Sequence, residues 1–394
     1  MQALLALALA AASLTWTTAN STATGDQDTS AIAANRNGQV AVVWEDDRDD
    51  TAPENNSHSD IWVRMFTNGV SKYEVKLSAG GSSNWTHLSP DVGLDDKGNA
   101  VVVWAEDGDG NGVFNIQYRV LSPTGTVSAS GRANADTAGD QILPKVAVDP
   151  DGAPTSGAVA FTVAWEDIQG STYTVKAAGY TGPTTKAYEV FASQQTGQHH
   201  RPDVAVSASG DALVVWDEDA DANGYYNIGL VGLAKSNGAV NLSRRTANSL
   251  GDGQQRHAAI AANFTGDFTV AWESDHTGTA GVWTRSFAPG AVARSTEVLV
   301  ANGGTNPAIG IDGQANAFVT WSATEQYGRG FNPDGTTAGR LATQVLTQTT
   351  TGRQEQTAVA VDNWGAFTVA YTDDNDGNTF DQVLLAWGGI NADW

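Results

Sequence analysis

The feature that most constrains this chain is an apolar run ending in an aromatic residue, which recurs along its whole length. It reads QVAVVW to Trp44, NAVVVW to Trp104, AFTVAW to Trp165, DALVVW to Trp216, DFTVAW to Trp272, NAFVTW to Trp321 and AFTVAY to Tyr371. The successive spacings are 60, 61, 51, 56, 49 and 50 residues. A shorter apolar segment and a turn precede each run, as in DVGLDDKG, KVAVDPDG and DVAVSASG. Two further strand-like segments follow most of them, such as NIQYRVL after the second run and YEVKLS closing the first repeat.

Four short strands per repeat, at a period near fifty residues, are the signature of blades arranged radially around a centre, each burying its faces on its neighbours. The expected fold is all-β: a seven-bladed β-propeller of four-stranded antiparallel blades, formed by residues 13–394 as one domain behind an apolar segment at 1–12. The last repeat supplies only three strands before the chain finishes in GGINADW. The N-terminal stretch SLTWTTANSTATGDQDTSAIAAN matches VNLSRRTANSLGDGQQRHAAIAAN, which runs from the fourth strand of one repeat into the next. A strand near Leu14 to Thr18 is therefore expected to complete the last blade and leave no open seam. The recurring strand is apolar on both faces, as in Val40–Ala41–Val42–Val43–Trp44, which suits a sheet sandwiched between two others. Its aromatics read as core.

Charge and cysteine content narrow the function. With 44 acidic and 21 basic residues the formal charge is −23, which disfavours phosphate backbones and anionic membrane surfaces. Cations, neutral ligands such as sugars, and basic proteins remain. There is no cysteine, so disulfides and thiolate metal sites are excluded. The opening MQALLALALAAAS resembles the apolar part of an export signal but has no basic residue before Arg36, and it is too short to span a bilayer. Export to the cell surface or medium is expected, without membrane insertion. If retained, the segment is a candidate surface for self-assembly.

The loops after the repeated runs are acidic in all but the sixth repeat. Two share one pattern: Asp107, Asp109, Asn111, Gly112, Asn115 and Asp219, Asp221, Asn223, Gly224, Asn227. Alternating oxygen side chains with glycine at the sixth position resemble the first half of a calcium loop, and Asp374, Asp376 and Asn378 form a weaker third copy. Calcium is the one cofactor this suggests; the plainer reading is that Asp, Asn and Gly are turn formers. A second ring falls where each repeat enters its first strand, at Gln27, His87, Gln141, His199, Gln255 and Gln354, with Gly304 in the sixth repeat. These side chains are candidate ligand contacts around a central opening, or else staples to neighbouring backbone. No nucleophile motif, zinc motif or phosphate loop is present, and His199–His200–Arg201 is the only compact polar cluster of mixed type.

The segments VVWEDDRDD, VVWAEDGDGNGVFNI and VVWDEDADANGYYNI resemble repeats of secreted and surface-attached bacterial and archaeal propellers. Trp216–Asp217 occurs without the partnering Gly-His and does not indicate a WD-repeat protein. The resemblance implies an extracellular module, and the leading expectation is non-enzymatic binding or adhesion through the acidic face, with a glycan or protein as ligand. The alternatives are a secreted glycosidase or polysaccharide lyase, and a structural subunit of a surface assembly.

Overall fold

The computed structural model describes residues 14–48, 59–78, 86–152, 158–207, 209–350, 352, 354–374 and 380–392. These residues form antiparallel β-sheet with no helix. Four of the sheets have four strands each. A fifth has a split outer edge, where Val292–Ala293 and Val298–Asn302 both pair with Gly281–Ala288. The remaining, eight-stranded sheet holds two four-stranded antiparallel runs, Asp140–Val148 to Thr185–Phe191 and Gln198–Val206 to Val240–Thr246. A single parallel bridge, Tyr173 to Gln198, joins them.

The repeats meet in a ring. Their first strands, from Gln27–Ala34 through to Gln354–Val361, touch in cyclic order, and the last touches the first. Each apolar cluster lies between two consecutive repeats: Val43, Val63 and Met65 pack with Val102 and Trp104, and at the closing seam Trp44 and Phe66 pack with Val383 and Leu385. This is why the second strand is apolar on both faces. Trp44, Trp104, Trp165, Trp216, Trp272 and Tyr371 are fully buried, and aromatics of this size dominate the energy of such seams.

The strand Thr15–Thr18 pairs antiparallel with Gln382–Gly389, Thr15 opposite Trp387 and Thr18 opposite Leu384, and so supplies the fourth strand of the last sheet. The Trp16 indole N–H donates to the Leu346 carbonyl (2.8 Å), fixing this strand to the sixth repeat. In five repeats the turn between first and second strands is closed by an Asp or Asn (Asn35, Asp95, Asn263, Asp312 and Asp362) whose side chain accepts N–H groups two and four residues on, as Asp312 does from Gln314 and Asn316.

Candidate functional site at the channel mouth

The seven first strands enclose a cavity of about 800 Å³ to which every repeat contributes. Each of these strands carries a bulge near its start, seen as a register shift between Asp28 and Ala31, Leu88 and Asp91, and at the matching place in the other five. At the bulge sits a non-glycine residue in the left-handed region: Thr29, Ser89, Leu143, Arg201, His257, Asn306 and Gln356, all with φ between 46° and 54°. Such a conformation costs about 1–2 kcal/mol for an L-residue. It turns these seven residues onto the wall of the opening.

The carboxylate after the buried tryptophan offsets that cost by bridging to the next repeat. Glu45 accepts the Ser89 N–H (2.7 Å), Glu166 the Arg201 N–H (2.9 Å) and Glu273 the Asn306 N–H (2.6 Å). Asp217, at the matching position of the fourth repeat, is buried against the backbone at His257 and Ala258. The next acid along serves the tryptophan itself, since Asp46 takes the Trp44 indole N–H (2.7 Å) and Glu106 that of Trp104 (3.0 Å). The W-E-D signature is thus a device for packing sheets. Glu45, Asp46, Asp47, Asp107, Glu166, Asp167, Asp217 and Asp219 are all buried, so much of the acidity lies beneath the rim.

Over the third to fifth repeats the bridging acids also hold side chains. His200 Nδ1 lies 3.1 Å from Glu166 Oε1, and His257 Nδ1 lies 2.7 Å from Glu273 Oε1. Arg201 Nη1 is 3.5 Å from Asp217 and remains half exposed. Tyr173 and Tyr226 flank His200 with ring centres 4.6 and 5.8 Å away, and Arg256 lies over the Tyr226 ring. Burial works upward on Glu273, but the hydrogen bonds from His257 and Asn306 outweigh it and hold the carboxyl below its ordinary range. For Asp217 burial dominates over His257 and Arg201, and its pKa rises to about 6. The half-exposed Arg201 guanidinium and the His257 imidazole thus line one side of the opening, and next to Arg201 in sequence His200 is held by Glu166 between the Tyr173 and Tyr226 rings. Such a set can bind polyhydroxylated or charged ligands, and either imidazole can accept a proton.

The ring of Gln and His residues that spacing singles out sits one layer behind this wall. Gln27 Nε2 donates to the carbonyls of Thr24 and Gly25 (both 2.8 Å), Gln141 to Ala138 and Gly139 (3.0 and 3.1 Å), and Gln255 to Asp252 (2.7 Å). His199 replaces Gln in the same role, its Nε2 2.9 Å from the Thr196 carbonyl, and burial lowers its pKa. His87 is buried with Nδ1 2.9 Å from the Ser59 carbonyl and Nε2 3.5 Å from Glu106. Gln354 donates to Asp373 (3.2 Å). None of the six lines the cavity. Gln27, Gln141, His199 and Gln255 clasp the loop that leads into their repeat, and the wall residues stand two positions further along from each of the six.

The two Asp-Asn loops have one geometry. Asp107 accepts from Asn111 and Gly112 (3.1 and 2.9 Å), and Asp219 from Asn223 and Gly224 (both 2.9 Å). Asn111 and Asn223 amides donate to Asp109 and Asp221, while Asn115 and Asn227 accept from Asn134 and Asn248. These oxygens are engaged by N–H groups of the protein. Among the described residues no three His, Asp or Glu side chains are grouped to hold a metal ion. Asp374 is described; Asp376, Asn378 and residues 1–12 lie outside the described residues.

The left-handed ring has a signal of its own in the sequence. Pro90, Pro144, Pro202 and Pro307 fall inside segments that otherwise read as strands, and proline in a strand marks an edge or a bulge.

No protein-family model matches the chain, and no curated protein matches it in sequence. Solved structures do match in shape. An α-L-arabinofuranosidase of Fusarium graminearum has a TM-score of 0.54 at 8% identity, covering 76% of this chain and 92% of its own. A protein of unknown function from Dyadobacter fermentans gives 0.52 at 10%, covering 78% and 95%. A polysaccharide lyase gives 0.50 at 10%, covering 94% and 90%. At such identities the likeness is one of fold: all-β, of the propeller type.

Proposed function

We propose that the chain is an extracellular, seven-bladed propeller that recognises a carbohydrate at the channel mouth over its third to fifth repeats. Seven first strands around one cavity, with apolar seams between consecutive repeats, support the blade number. The observation that carries the function is the convergence of His200, Arg201, His257, Tyr173 and Tyr226 beside a wide opening. The fold is shared with proteins described as an arabinofuranosidase and a polysaccharide lyase, which favours sugars over other neutral ligands. No helix among the described residues is long and apolar enough to cross a membrane. The test is binding of wild type, Arg201→Ala and His257→Ala to arrayed polysaccharides. Loss of a wild-type signal in both variants is expected; equal binding by all three overturns the reading.

A catalytic reading is favoured by one specific feature, the His257–Glu273 pair. Glu273 fixes Nδ1, leaving Nε2 as the nitrogen that can take a proton from a bound ligand. Product release from a bound polysaccharide, lost in His257→Gln with binding retained, supports turnover. Release by the variant at the wild-type rate removes His257 from that role. Calcium in the loops Asp107–Asn115 and Asp219–Asn227 is a separate proposal. A rise in melting temperature with calcium that EDTA reverses supports it, and an unchanged curve overturns it.

A further inference from the structure

Two residues past each left-handed residue the wall carries Ala31, Ala259, Ala308 and Ala358 in four repeats, but Asp91, Lys145 and Asp203 in three consecutive ones. The difference is confined to one sector, on the strands that carry Ser89, Leu143 and Arg201, next to the strand of His257. Both aspartates have a structural use: Asp91 accepts the Val146 N–H of the following repeat on one oxygen (2.7 Å), and Asp203 accepts the Ile260 N–H of the following repeat on one oxygen (2.8 Å) and the Val204 N–H on the other (2.9 Å), which leaves each carboxylate its second lone pairs for a hydroxyl. Lys145 has none comparable. Its ammonium stands 3.9 Å from Asp91 Oδ1 and makes no hydrogen bond among the described residues, yet the side chain is 41% accessible. Since its Nζ is walled by the seven strands, that accessibility is to the cavity.

We propose that Asp91, Lys145 and Asp203 form a subsite inside the channel that takes the vicinal hydroxyls of a neutral sugar at the end of a chain. The inference rests on the carbohydrate reading and adds to it the ligand's charge and its direction of entry. A hydroxyl both donates and accepts, so adjacent hydroxyls satisfy an ammonium and a carboxylate side by side. A carboxylate or sulfate would gain Lys145 but meet two acids, whereas a cation would meet Lys145. The four alanines opposite leave room for the ring, and the enclosing strands admit a chain end-on instead of along its middle.

The probes are galactose, mannose and arabinose, with 2-deoxygalactose and galacturonate as controls, measured by saturation-transfer NMR and calorimetry on the intact chain. At least one neutral sugar should bind in the millimolar range, with 2-deoxygalactose and galacturonate each at least tenfold weaker than galactose. Lys145→Met and Lys145→Gln should weaken the sugar at least tenfold in protein that circular dichroism shows still folded. Preference for galacturonate, indifference to the missing hydroxyl, binding unchanged in both variants, or no binding by any neutral sugar overturns the subsite. Polysaccharide binding lost in Arg201→Ala but kept in Lys145→Met separates the outcomes: the mouth then stands and the subsite falls.

Discussion

Glu45 gives the sharpest test of how the acidic signature works. It is buried, it accepts the Ser89 N–H across a seam, and it lines the cavity. Burial, with Asp28 adding repulsion, pushes its pKa from 4.5 to about 8. Below the unfolded value both states carry the proton and the group is neutral in the balance. Between 4.5 and 8 the unfolded chain releases the proton while the folded one keeps it, so stability falls as pH rises through this window. At 1.36 kcal/mol per unit the full shift sets an upper bound near 5 kcal/mol, and about 2–5 kcal/mol is expected at pH 8. Glu45→Gln keeps an oxygen for Ser89 without the charge. It should leave melting at pH 4.5 unchanged and raise it at pH 8 by roughly 2–6 °C for a chain of this size. Glu45→Ala removes the acceptor as well and should destabilise by about 1–3 kcal/mol at pH 4.5, a loss that the same relief of burial offsets at pH 8. Calorimetry from pH 4.5 to 8.5 decides. Coincident wild-type and Glu45→Gln curves, or a wild type that gains stability toward pH 8, refute the assignment.

Other tests address separate parts of the architecture. Asp47, raised to about 7 by burial, and Asp203 and Asp217, each raised to about 6 chiefly by burial, act in the same direction as Glu45. The wild-type melting temperature should therefore be higher near pH 5 than near pH 8, a trend scanning calorimetry reads directly. Trp165→Ala empties a fully buried seam position and should cost about 3–5 kcal/mol in denaturant unfolding, with no change in sugar binding. Gln141→Leu strips the clasp from two carbonyls and Asn134, and should lower stability by about 1–3 kcal/mol without altering ligand affinity. Weakened binding in a stable Gln141→Leu protein would instead return that ring to the ligand. Deleting residues 14–18 should expose the edge of Gln382–Gly389 and produce concentration-dependent association in light scattering.

Periodicity made the repeat, its buried aromatics and the N-terminal strand legible in the sequence, because each is a local pattern that tertiary packing reinforces. The sheets' two-sided burial follows from runs such as Ala100–Asp107, where every residue is buried. The channel wall was not legible to the same degree. Spacing located the turn into each repeat correctly, but a bulge shifts the residue that faces the opening, and a pattern of residue types does not show on which side of a bulge a side chain emerges. Hence His199 is held as a loop clasp, while Arg201, two positions on, lines the mouth.

The acids teach a related point about reading charge. A run such as Glu45–Asp46–Asp47 suggests a cation-attracting rim only if its oxygens face water. Here Glu45 accepts from the next repeat, Asp46 from an indole and Arg48, and Asp47 is buried near Asp26. A carboxylate fixed by backbone N–H groups serves as an acceptor within the protein before it serves as a field on the surface. At the mouth, therefore, the groups with capacity left for a ligand are the ones those acids hold in place. Arg201 and the outward imidazole edges follow from Glu166, Asp217 and Glu273, just as the seams do. The same carboxylates that join repeat to repeat orient the recognition surface, so substituting Glu166 or Glu273 should disturb stability and binding together, whereas Arg201→Ala should disturb binding alone.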